Sequence, residues 1–134
     1  MVSSMPITTR CANGLMEIRM AGRVSAADLK AHMREVATIE SKVAVTPNRI
    51  MDLRDGTAGD VKFENLHGLA EARRIAVLKN PIKTAILATT PVQIGLARTF
   101  QTINDNPQIT IQIFREESEA RAWLAEGDGE HRTP

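Results

Sequence analysis

The run Thr84-Ala85-Ile86-Leu87-Ala88, followed by Thr89-Thr90-Pro91, decides how this chain folds. It is apolar beyond Thr84 yet too short for a helix. Such runs suit an internal strand covered on both faces. Thr90 then reads as a helix N-cap with Pro91 at the first helical position, a favoured start. A buried strand feeding directly into a helix is half of a strand–helix–strand unit. The same unit recurs when the reading moves outward from it.

Upstream, Arg49-Ile50-Met51-Asp52-Leu53 reads as a short strand, and Arg54-Asp55-Gly56-Thr57-Ala58-Gly59-Asp60 as a polar, glycine-containing loop. A helix is expected from Val61 or Lys62 to Leu78, capped by Asp60, with Phe63, Leu66, Ala70 and Val77 near one face and Asn80-Pro81 ending it. Downstream, Val92, Leu96, Phe100 and Ile103 are spaced for the buried face of the helix that Pro91 opens. Ile109, Ile111 and Ile113 alternate with Thr110 and Gln112 as a last strand. Glu116 to Glu126 forms a last helix with Ala120, Trp123 and Leu124 inside.

At the other end, Asn13-Gly14 is a strong hairpin signal, because both positions tolerate positive φ. It joins Ile7–Cys11 to a strand in which Met16, Ile18 and Met20 alternate with Glu17 and Arg19. Ser25 and Asp28 form a near variant of the capping box, and Val24 with Leu29 a hydrophobic staple. They open a helix over Ala26–Glu40 whose inner face is Leu29, Met33, Val36 and Ala37. The order ββαβαβαβα predicts an α/β fold: a mixed sheet of about five strands, an N-terminal hairpin plus parallel strands, with about four helices. One domain over residues 6–126 is expected, with residues 1–5 and 127–134 as flexible ends.

The composition narrows the function. In 134 residues, 43% apolar and 25% charged, there is enough material for one independent core. Seventeen basic and 16 acidic residues give a net charge of +1, with no single-sign block to follow a phosphate backbone. Three Phe, one Trp and no Tyr leave few platforms for base stacking, so no nucleic-acid partner is expected. Cys11 is the only cysteine and cannot close an internal disulfide. Met1–Pro6 lacks the basic and apolar regions of a signal peptide, and no apolar run approaches a membrane span. A cytoplasmic protein is expected.

Three stretches carry a family likeness. They are Arg49–Asp55, Thr84–Ala88 continuing through Gly95-Leu96-Ala97-Arg98-Thr99-Phe100, and the ending Ile113-Phe114-Arg115-Glu116-Glu117-Ser118-Glu119-Ala120-Arg121-Ala122-Trp123-Leu124. With the strand order, they resemble the SpoIIAA-like family of STAS-related proteins over about Ile7 to Leu124. The resemblance implies a mixed sheet backed by helices and a protein that acts by binding, without chemistry. In the anti-sigma-factor-antagonist branch, the protein binds a kinase-like partner and is itself switched by phosphorylation of a serine in an Asp-Ser-Ser/Thr-Gly context. This chain reads Arg54-Asp55-Gly56-Thr57-Ala58-Gly59 there. Thr57 is the only hydroxyl of that loop, and the motif itself is absent.

In open α/β sheets, ligands settle at the carboxyl ends of the parallel strands. That edge gathers Asp52, Arg54, Asp55 and Thr57 with Thr89, Thr90 and Arg115. Asp52, Arg54, Asp55, Thr57, Thr89, Thr90 and Arg98 are the candidate ligand- or partner-binding set, with Thr57 the candidate phosphorylation site. Helix starts at Asp60 and Thr90 offer free N–H groups to an anion. Against this, Asp55 and Asp60 also suit plain turn roles, Thr90 a plain cap, and Asp52 an edge or capping role. Arg73, Arg74 and Arg98 suit two readings: lining a pocket for an acidic or lipid-like ligand or, the more ordinary use, covering apolar surface with their stems while their heads stay in water.

His32, His67 and His131 form no metal-binding pair, and no GxSxG, GxGxxG or Walker loop occurs. No cofactor, metal or enzymatic activity is expected. Two readings follow: a STAS-like regulatory domain for a protein partner or small ligand, and a carrier or sensor of an apolar molecule. An open hairpin edge makes a homodimer the expected state. A large apolar pocket favours the carrier, whereas a tightly packed core excludes it.

Overall fold

The computed structural model describes residues 6–59 and 61–126, with the backbone alone for Phe63. The two expected flexible ends and the Asp60 cap lie outside the described residues. The chain runs β1 (Ile7–Ala12), β2 (Leu15–Val24), α1 (Ala26–Lys42), β3 (Asn48–Ala58), α2 (Phe63–Arg74), β4 (Ile82–Leu87), α3 (Pro91–Ile103), β5 (Ile109–Phe114) and α4 (Glu117–Ala125). The five strands lie in the order β1-β2-β3-β4-β5. β1 and β2 are antiparallel, and every later pair is parallel.

The hairpin turns at Asn13 and Gly14, both at positive φ (54° and 76°), as a two-residue loop matched to strand twist requires. Because each crossover steps in the same direction, right-handedness lays α1, α2 and α3 on one face of the sheet. That face holds the larger core: Ile18, Met51 and Ile86 from the strands meet Leu29, Val36, Leu69, Ala97 and Phe100 from the three helices. α4 returns across the other face, where Ile50, Ala85 and Leu87 pack with Ala120, Trp123 and Leu124. The alternation Ile50/Met51 and Ile86/Leu87 divides the strands between the two cores. β4 is buried on both sides from Thr84 to Leu87, and Ala88 just beyond it is buried too, as the apolar run predicts.

Four expectations need correction. Arg54 to Ala58 is not a loop but the second half of β3. β2 also runs on to Val24, so Ala21–Val24 pair with Asp55–Ala58 after a register shift in which β3 carries one extra residue. Gly56 and Gly59 permit the close pairing: a Cβ on Gly56 would lie 3.1 Å from the Met20 Cβ, and one on Gly59 2.9 Å from the Val24 carbonyl oxygen.

α2 stops at Arg74, not Leu78. Side chains from the β5 approach capture the chain beyond it. Asn106 donates to the Arg73 and Ala76 carbonyls, and Gln108 pairs with both the N–H and C=O of Leu78. Val77, expected on a buried face, is 92% exposed as a result.

On α1 the inner face takes His32 and leaves Ala37 exposed. On α3 it takes Gln93 and Ala97 with Phe100, while Val92 is exposed. In both helices a polar residue occupies a position that hydrophobic periodicity assigned to a neighbour. The Ser25–Asp28 capping box forms as expected, with the Asp28 N–H donating to Ser25 Oγ and the Ser25 N–H to Asp28 Oδ2.

Candidate functional site

β3 pairs with β4 only from Arg49 to Asp52. Past Asp52 it stays with β2 and parts from β4, leaving a wedge between the end of β3 and the start of α3. Gln93, 7% exposed, spans that wedge. Its Oε1 accepts from the Thr89 and Thr90 N–H groups at 3.0 and 3.2 Å. Its Nε2 donates to the Arg54 and Gly56 carbonyls at 3.1 and 3.3 Å. Thr90 Oγ1 in turn accepts from the Gln93 N–H. Cap and strand end are thus tied by one amide, and at the Thr90 helix start the Thr89, Thr90 and Gln93 N–H groups are already engaged.

Beneath that tie lies an apolar cavity of about 450 Å³. Val24 and Leu29 bound it on the β2–α1 side, Met51 and Leu53 on β3, Leu66 and Leu69 on α2, and Leu96, Ala97 and Phe100 on α3. Exposed Ala58, Thr57, Thr90 and Val92 stand at its rim, so it reaches solvent there. The cavity exists because α3 turns Gln93 and Ala97 toward the sheet: an amide consumed by backbone and a methyl group leave the space a larger apolar chain would fill.

The candidate residues divide over this edge. Thr57 and Thr90 line the cavity mouth. The Thr57 hydroxyl is exposed and donates a long 3.5 Å bond to the Gly22 carbonyl. Asp52 and Arg54 face the α4 side and form a fork: Arg54 Nε and a terminal nitrogen donate to the Asp52 carboxylate at 2.9 and 2.8 Å. Those bonds hold the Asp52 carboxyl below its ordinary value. Arg54 also reaches Glu117, which bonds Arg121. Asp55 pairs with Arg19 on the surface. Thr89 is exposed and its carbonyl accepts from Arg115 at 3.4 Å. Arg98 is exposed on α3, away from the cavity. The structure therefore gathers the backbone of this edge, while its charged side chains turn outward into ion pairs.

A second cavity, of about 290 Å³, opens between α1, α2 and β3. Its polar wall includes His32, Glu40, Arg49 and Arg73. Glu40 accepts from Arg49 at 2.7 Å and from both terminal nitrogens of Arg73 at 3.0 Å. Burial raises the Glu40 carboxyl, but the two guanidiniums outweigh it and hold the group below its ordinary value.

His32 is 6% exposed. Burial first, then Arg49 and Arg73, depress its imidazole below the ordinary 6.5, against an upward pull from Glu35. The folded protein thus refuses a proton that the unfolded chain accepts. The stability due to neutral His32 is complete above 6.5 and is lost as pH falls from there toward the folded-state pKa. Urea midpoints measured in steps across the weakly acid range are expected to fall with pH in the native protein. They should fall less steeply in His32→Asn; equal slopes would show that His32 contributes nothing to the acid response.

Sequence reasoning missed Gln93, His32, Arg49 and the Glu40 pairing. Only Arg49 carried a readable signal, since strand alternation puts it on the same face as Met51 and Leu53.

Among the described residues no group of three or more His, Cys, Asp or Glu could hold a metal ion. No helix among them is long and apolar enough to cross a membrane. The family model described as SpoIIAA-like matches residues 15–125. Among solved structures, the chain is similar to an uncharacterized protein of the DUF3478 family with a SpoIIAA-like fold from Shewanella loihica PV-4. The TM-score is 0.62 at 12% identity, covering 93% of this chain and 99% of the other. At that identity the likeness concerns the fold. No curated protein matches the chain.

Proposed function

We propose, given that this chain belongs to the SpoIIAA-like family, that it acts by binding an apolar small molecule in the cavity under Gln93, as a carrier or sensor without chemistry of its own. One observation carries the reading: a core that could have closed instead keeps about 450 Å³ of apolar space open to solvent at one edge. That volume lies within the range of about 300–1,000 Å³ typical of small-molecule sites. Among the described residues Phe100 is the only aromatic in a lining made mostly of aliphatic and methionine side chains, so it suits a flexible alkyl group better than a flat aromatic one. Each methylene buried there contributes about 0.8 kcal/mol. The polar end of such a ligand would lie at the mouth, beside Thr57 and Thr90. A regulatory partner, if one reads the bound state, would meet the exposed surface around Thr57, and a homodimer would pair through an open edge such as β1.

The test uses a naphthylamine fluorophore displaced by decanol, with native mass spectrometry for retained ligand and oligomeric state. Ala58→Trp places a large ring at the exposed rim without disturbing the buried core. Saturable fluorophore binding, displaced by decanol and weakened at least about tenfold by that ring, is the expected result. Binding unchanged in Ala58→Trp would place the ligand elsewhere, and no binding to the native protein would end the carrier reading.

A further inference from the structure

The second cavity contains more polar chemistry than the fold needs. Arg49 Nε, His32 Nδ1 and Asn104 Oδ1 are all buried with no hydrogen-bond partner, and all three residues line this one space. Arg49 is 4% exposed and Asn104 5%. Buried polar atoms are nearly always paired, because an unpaired one forfeits its hydration for nothing. Three orphans around one cavity point to something that occupies it.

The charge is also out of balance. Among the described residues Glu40 is the only carboxylate lining the cavity, and it faces two guanidiniums, Arg49 and Arg73. Glu35, the carboxylate whose charge acts on His32, is exposed and lines, with Asp28 and one side of His32 itself, a separate depression between β1 and α1. With His32 neutral, the lining among the described residues carries one uncompensated positive charge. Water could satisfy the three hydrogen-bonding atoms but would leave that charge unpaired.

We propose that this cavity is a binding site for a small hydroxycarboxylate monoanion. Its carboxylate accepts from Arg49 Nε and balances the surplus charge. Its hydroxyl donates to Asn104 Oδ1, and His32 Nδ1 completes the ring of contacts. Exposed Ala37 on the cavity wall marks the way in. The site shares Met51, Leu69 and Phe100 with the apolar cavity but uses none of that cavity's chemistry, so it stands or falls separately from the carrier reading.

The experiment is a titration of the full chain with lactate at constant ionic strength, chloride making up the balance, followed by amide chemical shifts. Saturating shifts in α1, α2 and β3 are expected, with propionate, which lacks the hydroxyl, about threefold to tenfold weaker. Ala72→Leu fills the cavity and keeps every polar group, and should weaken lactate at least about tenfold. Arg73→Gln, at the more accessible side, removes the surplus charge and should do the same; it also serves if Ala72→Leu does not fold. Linear, unsaturating shifts would leave the cavity to water alone and overturn the proposal. So would saturation that both variants retain. Propionate binding as tightly as lactate would remove Asn104 from the site and with it the hydroxycarboxylate assignment.

Discussion

Glu40→Gln is expected to lower the unfolding free energy by about 3–5 kcal/mol, the cost of breaking a buried ion pair from one side. Among the described residues the carboxylate is the one ion-pair partner of both Arg49 and Arg73. Arg49 cannot swing to solvent: it sits on β3 beneath α1 and α2, 4% exposed, and burial already pushes its guanidinium pKa down. An amide keeps one acceptor oxygen but no charge, and its NH₂ would face two cations. A domain of this size is typically stable by about 5–15 kcal/mol, so the loss would consume much of the total. Urea denaturation followed by Trp123 emission measures it, since Trp123 is the only tryptophan and packs against Phe114 and Lys83 in the α4 core. A loss below about 1 kcal/mol would mean that Arg49 finds other compensation. The companion variant, Glu40→Leu with Arg49→Met and Arg73→Leu, removes all three charges together. It should recover most of the stability, because the charge cluster as a whole is close to neutral against well-packed apolar residues.

The fold was legible because its signals were local and redundant. Asn13-Gly14, the Ser25–Asp28 box, Thr90-Pro91 and the unbroken Thr84–Ala88 run each fix an element by short-range chemistry, and each stands where the sequence places it. What escaped depends on contacts distant in sequence. The polar composition of Arg54–Ala58 looks like a loop; only pairing with Ala21–Val24 makes it a strand. Nothing near Leu78 announces that Asn106 and Gln108 will hold α2's exit extended.

The candidate site was legible as an edge but not as a cavity. Thr57 and Thr90 do stand at the mouth, yet the volume behind them depends on how far α3 rotates, and that is set by Gln93. A glutamine three residues after a cap reads as capping-box chemistry. That its other end bridges to β3 could not be seen without knowing that β3 parts from β4 after Asp52. His32 was hidden for a related reason, and Arg49 could be read only as lying on the core face of β3. A polar residue on an apolar face reads as surface unless the elements that cover it are known, and Glu40, which pairs with Arg49, lies on a different element.

Gln93→Leu is the second change with a large expected effect, on both stability and binding. The substitution leaves the Thr89 and Thr90 N–H groups without the oxygen to which they donate, and the Arg54 and Gly56 carbonyls without the NH₂ from which they accept. At about 0.5–1.5 kcal/mol for each hydrogen bond, and with exposed Thr89 and Thr90 able to turn to water, the cost is about 2–4 kcal/mol. The consequence for the cavity is larger than the sum suggests. β3 has no β4 partner past Asp52, so the amide is what holds the Arg54–Gly56 backbone against α3. Without it the wedge opens beside Leu53 and Ala97, and an apolar ligand loses one wall. Fluorophore affinity should fall at least about tenfold, with faster release, as expected when a closed apolar site becomes wet.

Gln93→Glu separates the two halves of the tie. The carboxylate can still accept from Thr89 and Thr90 and so keep the helix cap, but it repels the Arg54 and Gly56 carbonyls. That repulsion and burial raise the folded-state pKa of the new acid above its unfolded value of about 4.3. The destabilisation is therefore present at neutral pH and is relieved as pH falls through the raised pKa, where the protonated carboxyl can donate one bond to β3. Affinity in Gln93→Glu should accordingly be low at neutral pH and recover in mild acid, whereas Gln93→Leu stays low throughout. Native-like affinity in both variants at neutral pH would show that the cavity is closed by its apolar walls alone and that Gln93 serves only the helix cap.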